Sequence, residues 1–300
     1  MLNMPDFLVI GVAKSGTTSL YAYLNQHPQI AMSAVKEPNF FEFGELDQSP
    51  SLTVSPRPSA VQTLSQYQAL FANLPAESVC GEASPSNFQA RACERIHRYL
   101  PDAKFVCLLR QPIDRAYSAY AMHFRSGIEL EPDFYRAYQR SSQRWENHLE
   151  PRSNARFHAA WYVSRLQDWF SRFPRQQFHI GLYDDLKADP LGVMRSIYRF
   201  LEVDSSFTPN TTQIHNPGIG VRSTWLPRLI GQNIPFKRWA RKIVPPPLRQ
   251  KVVRGLLYLN QAPLPPLDPQ LRRELTRPQH DDILRLQDLI GRDLTHWLAE

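Results

Sequence analysis

The chain has 300 residues, of which 42% are apolar, and a formal net charge of +7. This length and apolar content suffice for one large buried core, so we expect a single domain over 1–300. No apolar run approaches the roughly 20 residues of a membrane-spanning helix, and the N-terminus lacks the basic and then apolar pattern of a signal peptide. We therefore expect a cytoplasmic protein.

The cysteines indicate neither a disulfide framework nor a zinc site. Cys80, Cys93 and Cys107 each lie in or beside an apolar stretch, without a C-x-x-C pair or a matching histidine spacing. We interpret them as small buried side chains in a reducing compartment. No cluster of acidic residues and histidines indicates a metal ion, so none is expected.

Hydrophobic periodicity predicts strands that alternate with helices along most of the chain. In order, we predict a strand at 7–11, helices at about 17–26 and 65–74, a strand near Val79, a helix at about 90–99, a strand at 104–109, a helix from Pro112, a helix at 162–170, a strand at 178–183 and a helix at 193–201. This alternation indicates an α/β fold with a central parallel sheet flanked by helices. The strand, small-residue turn and helix at its start are P-loop-like. Ligands of such sheets bind at the carboxyl ends of the strands.

The turn after the first strand is predicted to bind an anion. A helix N-terminus offers unpaired N–H groups and a favourable dipole, a glycine lets the backbone approach a ligand closely, and hydroxyls add donors. The turn is not a nucleoside-triphosphate loop of the G-x-x-x-x-G-K-[ST] type, because Lys14 precedes the second glycine. We predict a phosphate or sulfate cradle formed by Lys14, Ser15, Gly16, Thr17, Thr18 and Ser19.

Two stretches together resemble a known family. AKSGTTSL (13–20) resembles the 5′-phosphosulfate loop, P-K-[ST]-G-T-T-x-L, of sulfotransferases that use 3′-phosphoadenylyl sulfate (PAPS). FVCLLRQPIDRAYSAY (105–120) is similar to that family's 3′-phosphate motif, a strand followed by R-x-P-x-x-R-x-x-S. The resemblance implies that Arg110 and Ser118 hold the 3′-phosphate. It also implies that PAPS is the co-substrate and 3′-phosphoadenosine 5′-phosphate (PAP) the product.

A third stretch, KEPNFFEF (36–43), resembles the K-E-P-H-F-F-D stretch of heparan sulfate sulfotransferases, in which the glutamate is the proposed general base. The resemblance implies that Glu37 takes the acceptor proton and that Lys14 stabilises charge on the bridging and sulfuryl oxygens. We expect Phe40 and Phe41 to help exclude water from the Glu37 carboxylate. Asn39 stands where the family often has His or Gln.

Two further residues are candidates for the site. The turn GEASPS (81–86) should face the same cleft, and its Glu82 is either a second carboxylate or a cap for the following helix. Arg222 lies in HNPGIGVRS (215–223), where the family has a loop that folds over the cofactor. The sequence leaves the role of both residues open.

The positive charge is concentrated in one part of the chain. Between Ser205 and Leu267 there are nine Lys or Arg residues and no Asp or Glu. A basic, proline-containing helical segment at about 222–260 mixes these cations with apolar side chains. Its stretch at 233–258 suits an anionic membrane surface or an acidic acceptor, while an ordinary solvated face remains open. No nucleic-acid-binding module is visible, so we expect no nucleic-acid partner.

Together these features favour a sulfotransferase that moves the sulfuryl group from PAPS to a hydroxyl or amine of a carbohydrate, glycolipid or other small acceptor. A small-molecule kinase on the same sheet is one alternative, although it predicts a lysine after the glycine and a magnesium-binding carboxylate. A non-catalytic anion- or membrane-binding protein on a degenerate fold is another. The C-terminal part does not match the substrate-binding stretch of the animal enzymes, so the acceptor stays open.

Overall fold

The strands of the central sheet all run parallel to their neighbours, in the order β2-β3-β1-β4-β5. They are β1 (Phe7–Gly11), β2 (Ile30–Met32), β3 (Val79–Ala83), β4 (Lys104–Leu109) and β5 (Phe178–Leu182). The predicted α/β class with a central parallel sheet is confirmed. The prediction missed β2, because three residues are too few to show a strand period.

The computed structural model describes residues 4–44, 61–75, 77–146, 162–212, 218–231 and 246–298. Contacts group the chain into two compact units, the first of 1–110, 161–215 and 284–293 and the second of 111–160, 216–283 and 294–300. A single domain over the whole chain stays a prediction. No helix within the described ranges is long and apolar enough to cross a bilayer.

The predicted helices occur in the predicted order, together with several helices that were not predicted. They are α1 (Thr17–Leu24), α2 (Phe40–Phe43), α3 (Leu64–Ala69), α4 (Ala90–Tyr99), α5 (Pro112–Arg125), α6 (Phe134–Glu146), α7 (Tyr162–Phe170), α8 (Tyr183–Ala188), α9 (Pro190–Leu201), α10 (Trp225–Gly231), α11 (Pro246–Leu259), α12 (Pro269–Thr276), α13 (His280–Ile290) and α14 (Thr295–Leu298). Local signals explain several starts: proline opens α5 and α9, and Thr63 with Gln66 forms a capping box before α3. The predicted helices at 90–99 and 162–170 are confirmed.

Helices cover both faces of the sheet in the first unit. On one face, Val106 and Leu108 belong to a buried cluster that includes side chains of α1, α8 and α9. On the other face, the Phe105 ring lies 4.9 Å from that of Trp169 in α7. This two-sided burial explains why the β4 sequence, KFVCLL, is a continuous apolar run. Cys93 and Cys107 are buried thiols, and Cys80 is half-buried.

The second unit has its own core. Side chains of α5 and α6, among them Ile113 and Phe134, pack together with Leu275 of α12. A two-stranded antiparallel sheet joins β6 (Ile219–Val221) to β7 (Gln261–Pro263). The predicted basic helical segment at about 222–260 contains α10 and α11, while its residues 232–245 lie outside the described part of the chain.

Candidate functional site

Most residues predicted for the site follow the carboxyl ends of strands in the first unit. The residues 14–19 come after β1, Glu37 comes after β2, Glu82 is the penultimate residue of β3, and Arg110 follows β4. Because the strands are parallel, these ends lie along one edge of the sheet. Ser118, on α5, and Arg222, after β6, belong to the second unit. Their participation in the same site stays a prediction.

The loop between β1 and α1 contains buried polar groups that suit an anion. Val12 N–H donates to the Leu108 carbonyl at 2.8 Å, which anchors the loop to β4. Ser15 is fully buried, and its Oγ has no hydrogen-bond partner among the described residues. The α1 N-terminus, at Gly16, has no side-chain cap. An unpaired buried hydroxyl beside an uncapped helix start fits a phosphate or sulfate oxygen.

Gly16 is required by the packing of this loop. Its φ of +82° is left-handed, and an added Cβ would lie 2.9 Å from Leu186 Cδ2 and 3.1 Å from Tyr183 Cδ2. Both neighbours belong to α8, directly after β5. The loop is therefore held against α8 by a contact that only glycine permits without strain.

Arg110 contacts the same loop. Its Nη1 donates to the Lys14 carbonyl at 2.9 Å, and its guanidinium carbon lies 4.7 Å from the centre of the Tyr183 ring. The Tyr162 hydroxyl donates to the Arg110 carbonyl at 3.0 Å. The structure thus joins the residue predicted for the 3′-phosphate to the loop predicted for the 5′ end.

The backbone at the candidate catalytic residues has an uncommon conformation. Lys14, Glu37 and Asn39 have φ values of 74°, 59° and 53°, and Glu202 is the one other described non-glycine residue with positive φ. Such left-handed residues cost about 1–3 kcal/mol each, and they persist where the surroundings hold them. These three strained residues therefore lie in the loops after β1 and β2, which contain the residues that the resemblance implies are catalytic.

The Glu37 carboxylate is accessible. It lies 2.6 Å from Lys36 Nζ, and the side chains of Glu37 and Lys36 are 42% and 22% exposed. An ion pair this exposed contributes about 0–1 kcal/mol, so the carboxylate can leave Lys36 at small cost. Phe40 and Phe41 are fully buried and pack against the Tyr67 ring, at 4.7 and 5.1 Å between centroids. Contrary to the expectation, these rings anchor the chain after Glu37 and leave its carboxylate accessible.

Glu82 is the shielded carboxylate of the site. It is fully buried and accepts hydrogen bonds from Ser84 Oγ at 2.7 Å and Asn87 Nδ2 at 2.8 Å. Burial raises the pKa of the Glu82 carboxyl from 4.5 to about 7, although these two hydrogen bonds oppose the rise. Its hydrogen-bond donors are side chains, whereas a helix cap would accept from a backbone N–H. The capping interpretation is therefore wrong, and a role of Glu82 as a second carboxylate of the site stays a prediction.

Several residues of the site were not predicted. Tyr183 contacts both Gly16 and Arg110, but a tyrosine at the end of the predicted strand 178–183 gives no signal of this in the sequence. Ser84 and Asn87 follow Glu82 by two and five residues in GEASPSNF, so the polar cluster after the strand could have been found. Within the described residues no group of three or more His, Cys, Asp or Glu could hold a metal ion.

Known proteins are similar to this chain over the region that contains these residues. The profile of the Sulfotransferase family matches residues 5–209. The bifunctional heparan sulfate N-deacetylase/N-sulfotransferase of Drosophila melanogaster is 31% identical over 217 residues, which cover 67% of this chain and 20% of the fly protein. Carbohydrate sulfotransferase 15 of Mus musculus is 27% identical over 248 residues, which cover 67% of this chain and 44% of the mouse protein.

The chain thus spans less than half the length of these two relatives. A similar solved structure is that of a sulfotransferase from Alicyclobacillus acidocaldarius, with a TM-score of 0.71, 28% identity and 99% of both chains covered. The family match includes the β1–α1 loop, Glu37, Glu82 and the start of α5. On this match, the chain belongs to the sulfotransferase family.

Proposed function

We propose that this protein transfers the sulfuryl group of PAPS to a hydroxyl or amine of a carbohydrate, glycolipid or other small acceptor, and releases PAP. The observation that carries the proposal is the β1–α1 loop. In it a fully buried Ser15 hydroxyl, without a partner in the described part of the chain, adjoins a helix start that has no side-chain cap there, and Arg110 donates to the carbonyl of Lys14. These groups are donors, as a phosphosulfate requires.

The residues have distinct roles in this reaction. The acceptor oxygen or nitrogen forms a bond to sulfur while the bond from sulfur to the bridging phosphate oxygen breaks. Glu37 takes the acceptor proton, and Lys14 stabilises the charge that develops on the leaving phosphate. Ser15, Gly16, Thr17, Thr18 and Ser19 hold the 5′ end of the nucleotide. Arg110 and Ser118 hold the 3′-phosphate, and Arg222 closes over the nucleotide.

The similar proteins support the class of acceptor. One is an N-sulfotransferase of heparan sulfate and another a carbohydrate sulfotransferase. A carbohydrate acceptor agrees with the accessible carboxylate of Glu37, because a sugar hydroxyl or amine must reach the base directly.

A thermal-shift experiment tests the nucleotide. PAP at about one hundred times its Kd should stabilise the protein by about 2.7 kcal/mol, because only the folded chain binds it. ATP with magnesium, added at the same concentration, is the comparison, and 5′-AMP reports the contribution of the 3′-phosphate. Stabilisation by ATP with magnesium but not by PAP would contradict the proposal and favour the kinase alternative.

Ser15→Ala should separate binding from folding. The substitution removes a buried hydroxyl that no described residue pairs with, so the melting temperature should stay the same or rise. The Kd for PAP should increase about threefold to tenfold, as expected for the loss of one hydrogen bond of about 1 kcal/mol. Calorimetric titration measures the Kd, and Ser126→Ala, on an exposed helix end, is the matched control. An unchanged Kd would show that the hydroxyl does not contact the nucleotide.

We also propose that the protein is cytoplasmic and contacts an anionic membrane surface through its basic segment at 233–258. In α11, which begins within that segment and ends one residue beyond it, Val252, Leu256 and Leu259 are exposed and recur on one face. Trp225 and Leu229 are exposed on α10, which contacts α11. Exposed apolar side chains in a tract without acidic residues suit the surface of anionic lipid.

Sedimentation with lipid vesicles tests this contact. Vesicles that contain phosphatidylserine should carry the protein down, and vesicles of phosphatidylcholine alone should not. Leu256→Ser with Leu259→Ser should weaken the binding, whereas Ile128→Ser, at an exposed apolar residue outside the segment, should not. Equal sedimentation of the variant and the wild type would contradict the proposal.

A further inference from the structure

The buried, hydrogen-bonded surroundings of Glu82 indicate an indirect role in catalysis. The side chain is fully buried, and each carboxylate oxygen already accepts a hydrogen bond, one from Ser84 and one from Asn87. Burying a carboxylate costs free energy of folding, so we expect a buried carboxylate to serve a purpose. Because no surface of Glu82 is open to an acceptor, that purpose is exerted through its neighbours.

Ser84 links Glu82 to the loop that carries the candidate base. Its hydroxyl has a single hydrogen, which it donates to Glu82, so the oxygen is oriented to accept from another donor. That donor is the Asn39 backbone N–H, at 3.1 Å. Glu82 therefore sets the direction in which Ser84 accepts, and Ser84 fixes the backbone at Asn39.

Asn39 passes this restraint to Glu37. Its Nδ2 donates to the Glu37 carbonyl at 2.6 Å, and its Oδ1 accepts from Ser86 Oγ at 2.6 Å. Glu37 and Asn39 both have left-handed φ values, which the chain adopts only where it is held. Hydrogen bonds thus run without a break from the Glu82 carboxylate, through Ser84 and Asn39, to the Glu37 carbonyl.

We propose that Glu82 is a positioning residue for sulfuryl transfer, holding Glu37 through Ser84 and Asn39 in the backbone conformation that presents its carboxylate to the acceptor. This inference rests on the proposed function, in which Glu37 is the general base. Glu82 itself does not touch the acceptor. The resemblance to the family had left Asn39 as a departure from the usual residue, and here it is the connecting amide.

Kinetics of Glu82 variants test the inference. Glu82→Ala should lower kcat roughly tenfold to a hundredfold, because small displacements of a catalytic group have effects of this size. The Kd for PAP should not change, since the β1–α1 loop is not part of this hydrogen-bond path. Glu82→Gln should keep most of the wild-type kcat. Its amide oxygen can accept from Ser84, and its NH₂ can donate to Asn87 Oδ1, which has no partner among the described residues.

A double-mutant cycle tests the path itself. Ser84→Ala should lower kcat as much as Glu82→Ala does, and the double variant should lose no more than either single one. Met194→Ala, in the core between α9 and the sheet, is the control for lost stability, and it should keep the wild-type kcat at a temperature where all variants are folded.

Four results would overturn the inference. A Glu82→Gln variant as slow as Glu82→Ala would mean that Glu82 acts through its charge, as the base itself. A wild-type kcat in Glu82→Ala, or additive losses in the cycle, would mean that the path does not position Glu37. A wild-type protein that transfers no sulfuryl group from PAPS would instead refute the proposed function, and this inference with it.

Unfolding measured against pH gives a readout that needs no turnover. The Glu82 pKa rises from 4.5 to about 7 on burial, so the folded protein binds this proton more tightly than the unfolded chain. The stability of the wild type relative to Glu82→Gln should therefore fall as the pH rises from about 4.5 to above 7. Lys36, Glu37 and Tyr67, the groups that interact with the Glu82 charge, are the same in both proteins. An identical pH dependence of the two proteins would mean that the pKa of Glu82 is not raised in the folded protein.

Discussion

Lys14→Met is expected to lower kcat by about a hundredfold to a thousandfold, the usual effect of removing one donor from the site where negative charge develops. The melting temperature should change little, because Lys14 is half-buried and the hydrogen bond from Arg110 is accepted by its backbone carbonyl, which the substitution keeps. The measurement is PAP release from saturating PAPS with a carbohydrate acceptor.

Lys104→Met is the matched control for Lys14→Met. Lys104 lies at the opposite end of the sheet, at the start of β4, and pairs with the exposed Glu202 at 2.7 Å. Lys104→Met removes this pair and the hydrogen bond from Lys104 to the Phe200 carbonyl, and it should cost some stability but no activity. Equal losses of kcat in the two variants, or a wild-type kcat in Lys14→Met, would contradict the role assigned to Lys14.

Glu37→Gln is expected to lower kcat by about a hundredfold to ten-thousandfold, because the amide cannot take the acceptor proton. The affinity for PAP should stay within about twofold, a change of less than 0.5 kcal/mol, because Glu37 follows β2 whereas the proposed nucleotide loop follows β1. Sulfuryl-transfer assays quenched at fixed times give kcat, and calorimetric titration gives the Kd.

Glu94→Gln, on the exposed side of α4, is the control for Glu37→Gln and should behave as the wild type. Retained activity in Glu37→Gln would contradict the role of Glu37 as the base and would assign that role to Glu82 or another group. Weaker binding of PAP to Glu37→Gln would instead indicate that Glu37 contacts the nucleotide.

Much of the fold could be predicted because its signals are local. The apolar run of β4 and the proline at the start of α5 each specify an element without reference to the rest of the chain. The prediction failed where an element is short or its ends depend on packing. The strand β2 has three residues, and α3 ends at Ala69 although the helical pattern continues to Leu74.

Only those residues of the candidate site that lie in recognisable sequence motifs could be predicted. Lys14, Glu37 and Arg110 were predicted because they lie in recognisable stretches, and Lys14 and Arg110 also follow predicted strands. The contact of Tyr183 with Gly16, and the path from Glu82 to Glu37, depend on residues that are distant in sequence and meet only in the folded sheet. The left-handed backbone at Glu37 and Asn39 could not be predicted either, because neither residue is a glycine, the residue that usually adopts this conformation.

The most direct test of the central claim is the transfer of label from radioactive PAPS to a pool of carbohydrate acceptors, with PAP counted in the same samples. The account predicts labelled acceptor and PAP in equal amounts with the wild type, and loss of both with Lys14→Met and with Glu37→Gln. Label that stays on PAPS with every acceptor, or transfer of the terminal phosphate of ATP to the same pool, would contradict it.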